Sequence, residues 1–319
     1  MSISTSVSKP ARTSVPVHVS KSLWVDAWHR MRREKLAMLS LGVIVAYSLV
    51  AILAKLGAIA TPWDVEVAGA YAAPSFGSLK TIMGSDIFGR SVFYKTIQGT
   101  RIAMSVGLVT SIITIPIGVV LGALAGYFGG VIDEIIVWFY TTISSIPSIM
   151  LLVAFTYVLG KGIFSVYIAL GVTSWVTLAR LVRGEFMKHK SREYVVAAEA
   201  IGAGHLIRIF RHIFPNVIHI VIINLSLQFQ MAIKTEVILS YLGLGVQGQP
   251  SWGVMIDDAK LELARGVWWQ LTAATIAMSF IVLAFNIFGD ALRDAFDPKL
   301  KMVTMPGGIG PRVVSGKEE

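Results

Sequence analysis

Residues Ile102–Phe128 read IAMSVGLVTSIITIPIGVVLGALAGYF, a run without Asp, Glu, Lys, Arg or His. The hydrocarbon core of a bilayer is about 30 Å thick and takes roughly 20 helical residues to cross, so this stretch alone is long enough to span one. Working outward, five more runs fit the same description. Leu36 to Ala60 is interrupted only by Lys55, Ile135 to Leu159 and Val267 to Gly289 are uncharged, Ile163 to Ala179 is shorter but clean, and Val217 to Ile233 carries His219, Asn224, Gln228 and Gln230. Only helices and closed barrels satisfy their backbone groups inside lipid, and runs of this length without alternation are helical. The expectation is an all-α, polytopic membrane protein with six transmembrane helices.

Composition agrees. Of 319 residues 55% are hydrophobic and 15% charged, and mean hydropathy is +0.69. Such a chain is neither a disordered tail nor, lacking cysteine, a disulfide-stapled module. In a soluble protein the net charge of +9 would suggest nucleic acid. In a membrane protein its placement gives orientation, and no nucleic-acid partner is expected. With six spans, residues 1–35, 180–215 and 290–319 fall on one side and carry 19 of the 28 lysines and arginines, against 8 in the loops of the other side. Both termini are therefore expected in the cytoplasm. The cluster Arg90, Lys95 and Arg101 is the exception. The hydrophilic first 35 residues and the length of the run after them favour a retained span over a cleaved signal. The chain is thus read as an amino-terminal tail 1–35, with Met1 to Ser20 loose, a transmembrane domain 36–300 containing the loop 180–215, and a carboxyl-terminal tail 301–319, loose from Met305.

The loop runs RLVRGEFMKHKSREYVVAAEAIGAGHLIRIFRHIFP. Tyr194 to Ile201 is Ala-rich and helix-compatible, Gly202 and Gly204 permit a sharp change of direction, and Leu206 to Phe214 resumes an apolar-basic helical pattern. Pro215 suits the first turn of the next helix. Helix, glycine turn and helix would make a projecting knob, in which Ala197, Ala198, Gly202 and Ala203 allow close approach to a groove on another protein while Arg208 and Arg211 add charge contacts. An amphipathic helix resting its basic face on anionic lipid would show the same residues.

Ala197, Ala198, Gly202 and Phe214-Pro215 resemble the glutamate-alanine-alanine loop of bacterial ATP-binding-cassette importer permeases. Val196, His212 and Phe214 stand where that motif has Glu, Ile and Leu, and Glu193 or Glu199 offers a nearby carboxylate. Further segments are similar to the dipeptide, oligopeptide and nickel permease family, in the family's order. They are Met83–Arg90 with Gly99-Thr100-Arg101-Ile102, Ser240–Val246 with Pro250–Gly253, and Asn286–Asp290 with Leu292-Arg293-Asp294 and Asp297-Pro298. The pattern looks like the second permease of the pair.

The resemblance implies a type I importer permease fold in the bacterial inner membrane. It also implies a second homologous permease, two cytoplasmic ATPase subunits or one homodimer, and an external substrate-binding protein. Ala197, Ala198, Glu199, Gly202, Ala203, Arg208, Arg211 and Pro215 would then couple the chain to the ATPases, and its cargo would be di- or oligopeptides, nickel or another small solute. The residues themselves contain no Gly-x-x-x-x-Gly-Lys-Ser/Thr phosphate loop, so ATP and Mg are expected on the partner subunits, with no cofactor, metal or catalytic residue in this chain.

Asn224, Gln228 and Gln230 either line the translocation path or join helices by hydrogen bonds. A secondary transporter usually shows charged groups or broken helices at the midplane, and a membrane enzyme needs a catalytic constellation; the uncharged spans offer neither. Lys234 and Glu236 are expected to snorkel to the outer interface. Asp257, Asp258 and Glu262 are expected on a solvated external surface or against the binding protein, His205, His212 and His219 lack the partners of a metal site, and Pro116 and Pro147 are candidate kinks.

Overall fold

The computed structural model describes residues 23–296. The loose ends expected at Met1 to Ser20 and from Met305, and the tail 301–319, lie outside them. Among the described residues the chain is helical throughout its regular structure: α1 Leu23–Arg33, α2 Lys35–Lys55, α3 Val92–Phe128, α4 Gly130–Ser144, α5 Ser148–Leu159, α6 Ile163–Thr173, α7 Val176–Lys190, α8 Glu193–Ala200, α9 His205–Ile207, a π-helical turn Arg208–Ile213, α10 Phe214–Tyr241, α11 Trp252–Leu263 and α12 Trp269–Phe296. Five helices are long and apolar enough to cross a membrane, taking Ile163–Lys190 and His205–Tyr241 each as one. The pair α4 and α5, bent by 87° at its break, gives a sixth if it crosses as one broken span.

The bent pair departs from the straight span expected over 135–159. The intervening Ser145-Ile146-Pro147 explains it: proline has no N–H to continue a helix and disfavours helical geometry in the residue before it. Pro116, by contrast, sits within an unbroken α3. Other spans differ in extent. α3 starts ten residues before the expected 102, since its polar first turns are paired rather than solvated. α7 runs on to Lys190 and α10 is entered through α9 and the π turn, which shortens the expected loop 180–215 to residues 191–204, with α8 inside it.

α3 is the axis of the bundle. Gly118, Gly122 and Gly126 form a stripe at intervals of four along one face, where α7 lies against them. A Cβ on Gly122 would stand 2.6 Å from the Ala179 carbonyl oxygen, and one on Gly126 2.7 Å from Phe186 Cβ. Small residues at this spacing let two backbones approach in the absence of a hydrophobic driving force within lipid. On another side Phe229 of α10 stacks on Phe285 of α12 at 4.4 Å.

At the end of the bundle opposite α8, the segment 56–91 and α11 fold over α3 and α12. Asp86 organises this cap. Its Oδ1 accepts from the backbone N–H of Phe88 and of Arg90, both at 2.9 Å. Its Oδ2 accepts from Arg90 Nε at 2.8 Å and Lys95 Nζ at 3.0 Å. Burial opposes its charge, but Lys95 and Arg90 hold its carboxyl below the usual range. Lys95, 2% exposed, also donates to Gln270 Oε1 on α12 at 2.9 Å and lies 3.6 Å from Asp258 on α11. Trp252 Nε1 donates to the Thr96 carbonyl at 3.1 Å, over the space left by Gly99.

One expectation fails and another holds only in part. In the acidic cluster Asp257 and Asp258 stay accessible to solvent, Asp258 lying 3.6 Å from Lys95, whereas Glu262 is buried at 2% exposure. Glu236 does not snorkel: it is 1% exposed and its Oε1 accepts from Ser240 at 2.7 Å. Both depend on partners distant in sequence or on another element.

Candidate functional site

The knob is built on a well-defined helix end. After α8 the Ala203 N–H donates to the Ala198 carbonyl and the Gly202 N–H to the Glu199 carbonyl, both at 2.9 Å, with Gly202 at φ +84°. This is the Schellman arrangement, which needs a left-handed residue after the helix. Val195 turns inward onto a core with Phe186, Ile209 and Ile213, and Ala198 beside it is buried. Beneath, Arg208 Nη1 meets Glu199 Oε1 at 2.6 Å, Arg208 Nη2 lies 3.0 Å from His205 Nδ1, and Tyr127 of α3 bonds the same His205 nitrogen at 2.9 Å. The turn is thus braced against both α3 and the start of α10.

The outward side is apolar. Ile201 is 86% exposed and Leu206 70%, and Val196, Ile207 and Phe210 are exposed around them. Large apolar side chains grouped on an exposed turn mark an interaction surface.

Of the residues singled out from sequence, Ala197, Glu199, Gly202 and Arg211 are exposed, Ala203 is half-buried, and Pro215 is exposed in the first turn of α10. Ala198 and Arg208 are buried. Arg208 is therefore an internal strut and not the outward charge contact expected of it. Val196, at the position of the family's glutamate, belongs to the exposed apolar group, and Glu199 supplies the nearby carboxylate, turned toward Arg208. Tyr127 and the apolar residues Ile201, Leu206 and Phe210 were missed, although an apolar set in a basic loop was visible in the sequence.

A cavity of about 710 Å³ opens between the α4–α5 break, α6, α7 and α10. Asn224 and Gln228 line it with Thr173, Thr177, Thr235 and Arg180. Arg180 Nη2 donates to Ser144 at 3.0 Å, and its guanidinium lies 4.9 Å from the Tyr140 ring centroid. Gln230 does not join them: it is 4% exposed on another face of α10, because positions four apart share a helix face and positions two apart do not. His205 bonds Tyr127, and among the described residues no three His, Cys, Asp or Glu are grouped to hold a metal ion.

An all-helical bundle with five or six apolar spans defines a polytopic membrane protein, and a cavity at the bend with an exposed turn between two spans suits a transport component. The chain belongs to the family of binding-protein-dependent transport system inner membrane components, which it matches over residues 118–302. Residues 22–74 match the amino-terminal transmembrane domain of oligopeptide transport permease C, which makes it a permease of that type.

The oligopeptide transport system permease protein OppC of Bacillus subtilis is 36% identical over 283 residues, covering 88% of this chain and 92% of that protein. The dipeptide transport system permease protein DppC of the same organism is 35% identical over 283 residues, 88% of each chain. The glutathione transport system permease protein GsiD of Pectobacterium atrosepticum is 34% identical over 298 residues, 92% of this chain and 98% of that protein. The chain is thus a multi-pass inner-membrane permease subunit of an ATP-binding-cassette importer. In this family ATP hydrolysis belongs to separate subunits, and a further permease and a binding protein complete the system.

Proposed function

We propose that this chain forms one half of the path for peptides, pairing with one homologous permease, two ATPase subunits or one ATPase homodimer, and an external binding protein. Both termini and the α8–α9 turn face the cytoplasm, as the distribution of Lys and Arg favours. Ala197, Glu199, Gly202, Ala203 and Arg211 present the turn to the ATPase, while Ala198, Arg208 and Pro215 hold its shape.

The observation that carries this reading is the exposed apolar set around Ile201, braced through Glu199, Arg208, His205 and Tyr127 onto α3 and α10. A rigid connection lets a push on the turn tilt the spans. A partner can shift a two-state equilibrium only by contacting the two states differently. Closure of the ATPases therefore biases the chain when it changes their fit to this surface.

Asn224 and Gln228 offer amide donors and acceptors to the amides of a passing peptide, and Arg180 a cation to its carboxylate. The relatives named for oligopeptides, dipeptides and glutathione fit a peptide-like cargo. Nickel or another small solute is the alternative cargo.

The chain lacks cysteine, so Ile201→Cys places a single thiol on the turn. Co-expressed with the rest of its importer, this variant is expected to cross-link to an ATPase subunit, with a yield that changes on adding ATP. Cross-linking to lipid alone, or none to an ATPase, overturns the assignment.

A further inference from the structure

A second cavity of about 710 Å³ lies among α2, α3, α6, α10 and α12, away from the α4–α5 bend. Its walls are apolar over most of their length, including Ile44, Leu108, Phe229 and Phe285. The hydroxyls that reach it are already engaged. Ser48 donates to the Ile44 carbonyl and Ser105 to the Ile102 carbonyl, both at 2.8 Å. Ser226 donates to the Ile223 carbonyl at 2.7 Å, and Tyr167 to Ser105 at 2.9 Å. A serine bonded back to its own helix presents little unmet polarity.

The charged residues of the lining are Lys55 and Arg101, and they share one end. Lys55 is the last residue of α2 and Arg101 lies in the early turns of α3, so both are at the end opposite α8. From there down to Ile44 the wall extends roughly 16 Å along α2 at 1.5 Å per residue. The Arg101 guanidinium donates to the neutral amide oxygens of Gln98 and Gln249, at 3.2 and 3.3 Å. Among the described residues neither cation has a carboxylate within ion-pair distance. Glu236, the buried carboxyl of α10, takes its hydrogen bond from Ser240.

A cavity with two uncompensated cations at one end and a long apolar wall has the polarity of an amphiphile. We infer that it binds an anionic phospholipid of the outer leaflet, the phosphate at Lys55 and Arg101 and an acyl chain between α2 and the pair α10 and α12. The volume is that of a small-molecule site. Arg pairs bidentately with phosphate and Lys adds a point charge. The lipid would fill the gap between α2 and the rest of the bundle. The leaflet assignment rests on the orientation proposed above; the site itself does not.

The test uses the assembled importer in nanodiscs of phosphatidylglycerol and phosphatidylethanolamine, with retained lipid measured by native mass spectrometry. Wild type is expected to retain phosphatidylglycerol with roughly thirtyfold preference, the contribution of two cations near anionic lipid. Lys55→Gln with Arg101→Gln removes the preference. Ile52→Trp, which leaves both charges and fills the cavity, removes the lipid itself and keeps the test open should the double variant fail to assemble. Equal retention of the two lipids by wild type, or undiminished phosphatidylglycerol in the variants, overturns the proposal. So does a photo-reactive residue at Ile44 that captures the partner permease in place of lipid.

Discussion

At Gly202 the backbone has φ +84° and no heavy atom lies within 4 Å of where a Cβ would be, so the residue is needed for its conformation and not for space. A non-glycine residue there costs roughly 1–2 kcal/mol, more for a β-branched one, while asparagine tolerates the left-handed region. Gly202→Val is expected to abolish ATP-driven uptake with membrane insertion intact, and Gly202→Asn to retain most uptake. Uptake assays on both variants decide it; wild-type transport in the valine variant would sink the coupling role of the turn. Glu262 is a second such residue. Burial raises its pKa to about 7, Lys95 opposing and Asp258 and Asp86 reinforcing the rise, and neither carboxyl oxygen has a hydrogen-bond partner. Of these groups, Asp86 is itself paired with Arg90 and Lys95. A carboxyl whose pKa is higher folded than unfolded holds its proton more tightly in the fold. Its contribution is therefore greatest below the unfolded value and is lost as pH rises through about 7. Glu262→Gln keeps the neutral shape, so the purified complex should lose part of its drop in Tm between pH 5 and pH 8. An unchanged difference in Tm would refute the buried protonated state.

Among the elements, the pairing of α3 with α7 ties the turn to the bundle, since α7 runs directly into α8. Gly122→Leu would drive a side chain into the Ala179 backbone and force the helices apart, at about 1–3 kcal/mol for overpacking. The expected result is a lower Tm together with ATP hydrolysis that no longer drives uptake; a variant matching wild type in both would show that the contact is dispensable. This stripe was missed in the sequence, although Gly118, Gly122 and Gly126 stand at intervals of four in the very run that reveals the spans. The existence of the long apolar helices was legible, since a run of that length without charge suits a bilayer, but the break in the middle of the run 135–159 was not. Nor were the ends of the helices. The first turns of α3 carry Lys95 and Gln98, which read as surface until Gln270, 175 residues away, supplies the partner of Lys95. The burial of Glu236 was hidden for a similar reason: its partner Ser240 is near in sequence, but the lid over both comes from the following element, where Ser251 approaches Ser240 at 3.4 Å. In the α8–α9 turn the small residues and glycine were readable as a motif, whereas the inward turn of Arg208 follows from the positions of Tyr127 and His205, which no local pattern encodes.

For the molecule as a whole, asymmetry between its two ends is the property on which function depends. One end carries the apolar turn at Ile201. The other carries the cap around Asp86 and the loop with Phe76, whose side chain is 95% exposed. The faces between them, with Trp138 at 68%, Tyr157 at 79% and Val158 at 82% exposure, are apolar on α4 and α5, as suits lipid or a second permease. A transporter driven from the cytoplasm must keep the turn on the ATPase side through every state of its cycle. The proposed orientation rests on the basic residues, because cytoplasmic loops retain Lys and Arg. The absence of cysteine makes the orientation directly measurable. A membrane-impermeant maleimide is expected to label Phe76→Cys in intact spheroplasts and Ile201→Cys only after permeabilisation. The reverse pattern would place the turn outside, beyond reach of any cytoplasmic ATPase, and with it the phosphate end of the lipid cavity would move to the inner leaflet. Labelling of both positions from outside would instead mean that an even number of crossings separates them, as it would if the bent pair α4 and α5 re-enters on the side it left.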